Sequence, residues 1–282
     1  VSEERSVARV GISGWTYQPW RGVFYPRGLV QREELAYAAD RLDSIEINGT
    51  FYALQRPSSF LRWRDETPDD FVFSVKGGRY ITHILRLRDT TQAVAGFFAS
   101  GVLALQEKLG PILWQVPQTL HFDAAALESF LARLPQSVDE AQQLVVEHSQ
   151  LADDRTWTAT TANRPIRHAL EVRHESFLDP AFAEILRRHG VAAVVADTAG
   201  RFPRIREVTA DFVYVRLHGD KELYASGYSD EALDEWARAV RGWVTGESCP
   251  DGQGRDVFVY FDNDTKVRAP FDAMGLRERL AV

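Results

Sequence analysis

Five short runs in this chain end in side chains that could do chemistry: Glu46-Ile47-Asn48, Ser74-Val75-Lys76, Glu171-Val172-Arg173-His174, Arg216-Leu217-His218-Gly219 and Asp262-Asn263-Asp264. Most of them close an apolar, strand-like stretch. Carboxylates and imidazoles in such places move protons. Arginines grip flat anionic groups with two parallel hydrogen bonds, and a lysine stabilises charge that develops during a reaction. Residues two apart on a strand share a face, so Glu46 with Asn48, Glu171 with Arg173, and Arg216 with His218 are pairs aimed the same way.

The elements that must position these groups alternate. Strands are expected at Arg9–Ser13, Ser44–Phe51, Phe71–Lys76, Ile112–Val116, Ala169–Arg173, Ala192–Ala196, Phe212–Leu217 and Val257–Phe261. Helical spacing places Arg32–Leu42, a helix opened by Ser58, Gln92–Lys108, Ala124–Leu134, Pro180–His189 closed by Gly190, a helix from Ser229 through Val244, and Asp272–Leu280 between and after them. The sixth and seventh strands are joined by a short connection with little helix. Residues 136–166 break the rhythm: Glu140–Gln150 reads as an extra helix and Ala152–Pro165 as an irregular, variable excursion. Eight strands with helical crossovers predict a single-domain α/β (β/α)₈ TIM barrel over residues 1–282, whose site lies at the C-terminal ends of the strands.

In such a barrel each inward layer is built by alternate strands. Lys76, Arg173 and Arg216 fall on the third, fifth and seventh strands, while Glu46, Asp197 and Asp264 fall on the second, sixth and eighth. If they point inward, cations and acids converge on one mouth. Three cations there need a counter-charge, supplied either by the barrel's own carboxylates or by a ligand phosphate or carboxylate. The bland alternative is an ion-pair network, Glu171 with Arg173 and Glu46 with Lys76, that merely fills the barrel. The anion pocket is preferred because the mouth holds more polar groups than a filled core needs.

The catalytic candidates are therefore Glu46, Lys76, Glu171, Asp197 and His218. The candidate substrate contacts are Trp15, Asn48, Tyr52, His83, Gln115, Arg173, Arg216, Tyr224, Asn263 and Asp264. His174, one residue past Arg173, reads as a capping or packing residue. The aromatics in the proposed loops suit stacking on a base or sugar ring, although Phe24 and Phe51 read better as loop packing. A divalent metal is the less favoured reading, since the acids are interleaved with cations and no HxH or HExxH spacing occurs. The sequence does not identify a cofactor.

Composition bounds the rest. The chain has 282 residues, 45% of them apolar, enough for a large core; its one cysteine, Cys249, rules out a disulfide framework. No apolar run approaches the roughly 20 residues of a membrane span, and the first residues lack a signal-peptide pattern. The expected setting is cytoplasmic, with no membrane partner. A net charge of −7 argues against a broad basic surface but leaves room for a local basic cleft. Only four of the 33 cationic residues are lysines, so Lys76 stands out as a place where a compact ammonium is wanted.

The motifs together resemble the YecE-like family, a domain-of-unknown-function family with a TIM-barrel fold. The resemblance is carried by Gly11-Ile12-Ser13-Gly14-Trp15 with Trp20 and Phe24-Tyr25-Pro26, Glu46-Ile47-Asn48 leading to Thr50-Phe51-Tyr52, and Phe73-Ser74-Val75-Lys76 with Thr82-His83. Gln115-Val116-Pro117, Glu171-Val172-Arg173-His174, Arg216-Leu217-His218-Gly219 and Phe261-Asp262-Asn263-Asp264 continue it in order along nearly the whole chain. Phe177 stands where that family more often has tryptophan, and Asp262 where it often has asparagine. The resemblance implies the barrel; through the likeness of the family's barrel to endonuclease-type barrels it also brings a nucleic-acid ligand into view. The expected function is an enzyme acting on an anionic substrate, including a phosphoester in nucleic acid. The alternative is a non-catalytic protein that binds a small anion or a single-stranded or damaged nucleic acid. A retaining glycosidase fits less well, because the fourth and seventh strands end in Gln115 and His218, and a Schiff-base aldolase would rest on Lys76 alone.

Overall fold

Parallel strands need long crossovers, and helices supply them. In the computed structural model, which describes residues 6–157, 159 and 162–281, the strands are β1 (Ala8–Ser13), β2 (Ser44–Ile47), β3 (Val72–Lys76), β4 (Leu109–Gln115), β5 (His168–Glu171), β6 (Ala192–Asp197), β7 (Phe212–Leu217) and β8 (Asp256–Phe261). They form a closed parallel barrel in sequence order, the (β/α)₈ architecture expected from the pattern. The helices are α1 (Glu34–Ala39), α2 (Gly49–Tyr52), α3 (Pro57–Asp65), α4 (Thr91–Ala99), α5 (Ala124–Leu131), α6 (Val138–His148), α7 (Pro180–Arg188), α8 (Asp230–Thr245) and α9 (Ala269–Leu280). The chain divides into two compact units, Val1–Ile45 with Ala192–Val282, and Glu46–Val191.

In the first unit β6, β7, β8 and β1 run in parallel register, with Val194 beside Tyr214, Tyr214 beside Phe258, and Arg9 beside Phe258. Their side chains are almost wholly buried, as strands covered on both faces must be. The Ser44 and Tyr260 hydroxyls meet at 2.7 Å, so two buried polar groups satisfy each other. Ser229 caps α8 by accepting from Ala232 N, and Gly190 takes the left-handed conformation just past α7, both as the sequence leads one to expect. Among the described residues the connection from β6 to β7 carries no helix.

In the second unit β3, β4 and β5 pair in parallel around Phe73, Trp114 and Leu170, with Phe97, Phe98 and Phe130 packed in the buried core. His168 is held from both sides: its Nδ1 accepts from Trp114 Nε1 at 3.1 Å and its Nε2–H donates to Pro135 O at 2.7 Å. Burial pushes its pKa down to about 4, so the ring is neutral under ordinary conditions. Lys108 donates to the carbonyls of Arg64 and Thr67 at 2.6 and 2.8 Å, closing the end of α3.

Several boundaries differ from the periodicity. The second strand stops at Ile47, because Asn48 already has helical angles and α2 coils directly behind it. Thr50 fixes that turn by placing its hydroxyl 2.9 Å from Ile47 O and 2.6 Å from Lys76 O. The third helix starts with Pro57 in its first turn and Arg56 before it, so Ser58 is inside the helix instead of capping it. The fifth strand ends at Glu171, leaving Arg173 beyond the ladder. The extra helix forms as α6, capped by Ser137; residues 158, 160 and 161 of the excursion lie outside the described residues.

The long helix expected over Gln92–Lys108 is two pieces, α4 and a 3₁₀ stretch over Val102–Lys108. Gly101 causes the break: its φ is +116°, and a Cβ there would lie 2.6 Å from the Cα of Pro57. Neither the conformation nor the contact tolerates a side chain. Gly101→Ala should therefore lower unfolding free energy by about 2 kcal/mol or more. Urea denaturation of the variant checks this, and an unchanged midpoint would refute the explanation of the break.

Candidate active site

In the Glu46–Val191 unit a cationic cluster forms beyond β3 and β5. Lys76 is the last residue of β3, only 9% exposed, and its Nζ lies 4.5 Å from the centre of the Phe51 ring. The turn of α2 delivers that ring, which also meets the His83 ring edge-on at 5.1 Å. Phe51, read from sequence as loop packing, thus stands between a cation and an imidazole. His83 belongs to the π-helical turn Tyr80–Ile84 and has its Nδ1 2.9 Å from Thr82 Oγ1. Burial, followed by the charges of Lys76, Arg79, Arg173 and Arg86, pushes its pKa down to about 4.

The acids of this unit are deeper. Glu171 is 1% exposed, and Arg173 reaches its Oε1 with Nε and Nη2, each at 2.9 Å. Glu46 is fully buried. Gln115 donates to Val116 O at 2.9 Å. Asn48 has its Oδ1 buried with no hydrogen-bond partner, whereas Tyr52 is 79% exposed. His174 accepts from Ser176 N and caps the short turn that follows β5.

In the other unit the polar groups gather beyond β7 and β8. Arg216 has no exposed surface; its Nη2 is 2.9 Å from Asp262 Oδ2 and 3.4 Å from Ser13 Oγ, and its Nη1 is 3.4 Å from His218 Nε2. His218 Nδ1 lies 3.1 Å from Asp262 Oδ2. A guanidinium only donates, so at the Arg216 contact His218 Nε2 is the acceptor. The proton-transfer role expected of His218 does not fit this placement: the ring is fully buried and its basic nitrogen is turned toward a permanent cation. It packs beside the direct Arg216–Asp262 pair. Tyr224, at φ +64°, holds its ring edge-on to His218 at 5.3 Å.

Asp264 is a carboxyl whose environment holds its proton more tightly than usual. Burial first, then the neighbouring charge of Asp262, pushes its pKa up to about 6, against a hydrogen bond from Tyr17 that pulls it down. Asn263 is placed differently from expectation: it is fully buried, and its amide donates to Ser226 O at 2.9 Å and to Asp272 Oδ2 at 2.8 Å. It ties a loop together. Asp197 is ion-paired with Arg204 and accepts from the Tyr228 hydroxyl at 3.4 Å. Trp15 is half-buried, and its carbonyl accepts from Tyr25 at 2.5 Å. Among the described residues no three His, Cys, Asp or Glu side chains are grouped to hold a metal ion, and no helix is long and apolar enough to cross a membrane.

Sequence reasoning passed over Arg79, Arg86 and Arg204, and named Tyr17 only among the aromatics of the mouth. Arg79 had a signal, since it follows Lys76 across Gly77-Gly78 and must stay near the end of β3. Arg204 had none, lying in a connection without periodicity.

A closed parallel barrel with charged side chains gathered past its strand ends is the frame on which enzymes of many kinds are built. The chain belongs to the family described as "Protein of unknown function DUF72", whose model matches residues 9–282. It is 32% identical over 127 residues to UPF0759 protein YecE of Escherichia coli (strain K12), a match covering 45% of this chain and 44% of that protein, so less than half of the relative is spanned. It is 23% identical over 285 residues to UPF0759 protein YunF of Bacillus subtilis (strain 168), covering 91% of this chain and 88% of that one. The crystal structure of a DUF72 family protein from Thermotoga maritima MSB8 superposes with a TM-score of 0.74 at 25% identity, covering 98% and 100% of the two chains. A DUF72 family protein from Enterococcus faecalis V583, at 16% identity, TM-score 0.72 and 98% and 96% coverage, shares the fold.

Asp262→Asn removes the charge that helps to raise Asp264. The pKa of Asp264 should then fall below 6 while staying above the ordinary value, because burial remains. Carboxyl NMR titration of the two proteins reads this directly; an unchanged Asp264 would show that Asp262 does not act on it.

Proposed function

We propose that this protein is an enzyme that acts on an anionic, phosphate- or carboxylate-bearing substrate bound by the cationic cluster beyond β3 and β5. The observation that carries the reading is the depressed pKa of His83. The pKa of this imidazole is lowered to about 4, by burial first and then by four cations, Lys76, Arg79, Arg173 and Arg86, so the ring lies where their positive fields overlap in a partly buried place. Overlapping cationic fields of this kind favour the entry of an anion. Arg173 is oriented for this by Glu171, and Lys76 offers a compact charge that can stabilise a developing oxyanion.

The same field suggests how a reaction could be timed. An anion entering among the cations offsets their part in lowering the His83 pKa, so its proton affinity rises when substrate arrives. The imidazole can then accept a proton during the chemical step. Hydrolysis of a phosphoester is the reaction class that best uses an anion grip, a lysine and a base of this kind.

The sign of the linkage is fixed. Because a bound anion raises the pKa of His83 from about 4, binding takes up protons, and affinity should increase as pH falls from about 6.5 toward 4. Sulfate, whose charge is constant in that range, is the probe. Isothermal titration of the wild type should show tightening at lower pH, and His83→Gln should flatten the profile while still binding. No sulfate binding at either pH would overturn the proposal. Turnover of an aryl phosphoester panel, lost in His83→Gln, tests the enzymatic half; saturable binding without any turnover would reduce the protein to an anion-binding module.

A further inference from the structure

A cleft of about 510 Å³ opens in the Glu46–Val191 unit, walled by α2, the turn Tyr80–Ile84 and α4. That size suits a small organic molecule. Phe51 and Arg79 belong both to the cleft and to the cationic cluster: each lines the cavity, Lys76 lies over the Phe51 ring, and Arg79 is one of the charges acting on His83. The cleft and the cluster are therefore contiguous.

Its surfaces are those of a slot for a ring. Tyr52 and Tyr80 both line it and are 79% and 59% exposed, so two large aromatic side chains are kept in water where packing does not need them. Gly96 lines it from α4, and a Cβ built there would meet nothing within 4 Å, so the helix leaves the space open. Gln92 adds an amide that can hydrogen-bond to a ring substituent. Aromatic faces, an open wall and a cationic end are complementary to a flat molecule with an anion at one edge.

We infer that the cleft holds the aromatic body of the ligand, which makes the substrate class an aryl or heteroaryl phosphate and not a bare or aliphatic oxyanion. The inference rests on the anion-binding reading above, with the phosphate on the cationic cluster and the ring in the slot.

Methyl phosphate and phenyl phosphate carry the same ionising group and differ in the ring, so the pair isolates the slot. In calorimetric titrations of the full chain, phenyl phosphate should bind roughly tenfold tighter than methyl phosphate, the gain expected of one good stacking contact. Gly96→Leu, which extends into the slot from a position where a Cβ meets nothing within 4 Å, should erase that advantage while methyl phosphate affinity and melting temperature hold. Tyr80→Ala, an exposed truncation, should reduce the advantage without disturbing the fold. If methyl phosphate binds and phenyl phosphate binds no better, the slot assignment is overturned and the anion site stands. If the advantage survives both substitutions, the ring lies elsewhere and the assignment also fails. If neither compound binds, both readings fall together.

Discussion

Charge that leaves water has to be compensated where it ends up, and this constraint shapes the strand ends of the protein. Arg216 has no exposed surface, so Asp262 must sit beside it, and His218 must present a lone pair to it. The consequence runs outward: the carboxylate that neutralises Arg216 also repels a negative charge on Asp264. A single buried guanidinium thus sets the accepting nitrogen of one residue and, through its counter-ion, the acidity of another. Asp262 supplies the full charge that Arg216 needs.

Beyond β3 and β5 the same constraint has a different outcome. Glu171 receives Arg173, and Lys76, Arg79, Arg173 and Arg86 all act on His83. Burial of the imidazole is the larger cause and the cations add to it, so the ring reports both solvent exclusion and the sign of the field. In the first unit Arg216 is paired with Asp262.

The barrel was legible because it is written in periodic features. Apolar strand runs, Ser229 before α8 and Gly190 after α7 are local signals, and each led to the right element. Local signals also located the charged strand ends. What sequence could not supply was side-chain direction beyond the last ladder bond. His218 and Asn263 look like free polar groups in a strand-end motif, but one is enclosed by Arg216 and Asp262 and the other by Ser226 and Asp272. The helical turn of α2 was hidden for a related reason: Thr50-Phe51-Tyr52 has strand-like composition, and tertiary hydrogen bonds from Thr50 to two carbonyls override it. Gly101 is the converse case, a residue whose necessity appears only when the neighbouring Pro57 is in place.

The segment joining the turn Tyr80–Ile84 to α4 contains three non-glycine residues at positive φ, Arg86, Leu87 and Asp89. Each such residue stores of order 1–3 kcal/mol that the surrounding fold must absorb. Arg86 acts on His83 and Asp89 lines the cleft, so the stored strain is located where a ligand would be handled. Natural variation under selection for heat resistance alone would relax it, with glycine or asparagine replacing the exposed Asp89 first. A lineage that keeps the strained residues is, on this view, spending stability on the shape of that segment, which makes residues 86–89 a place to read evolutionary pressure separately from folding.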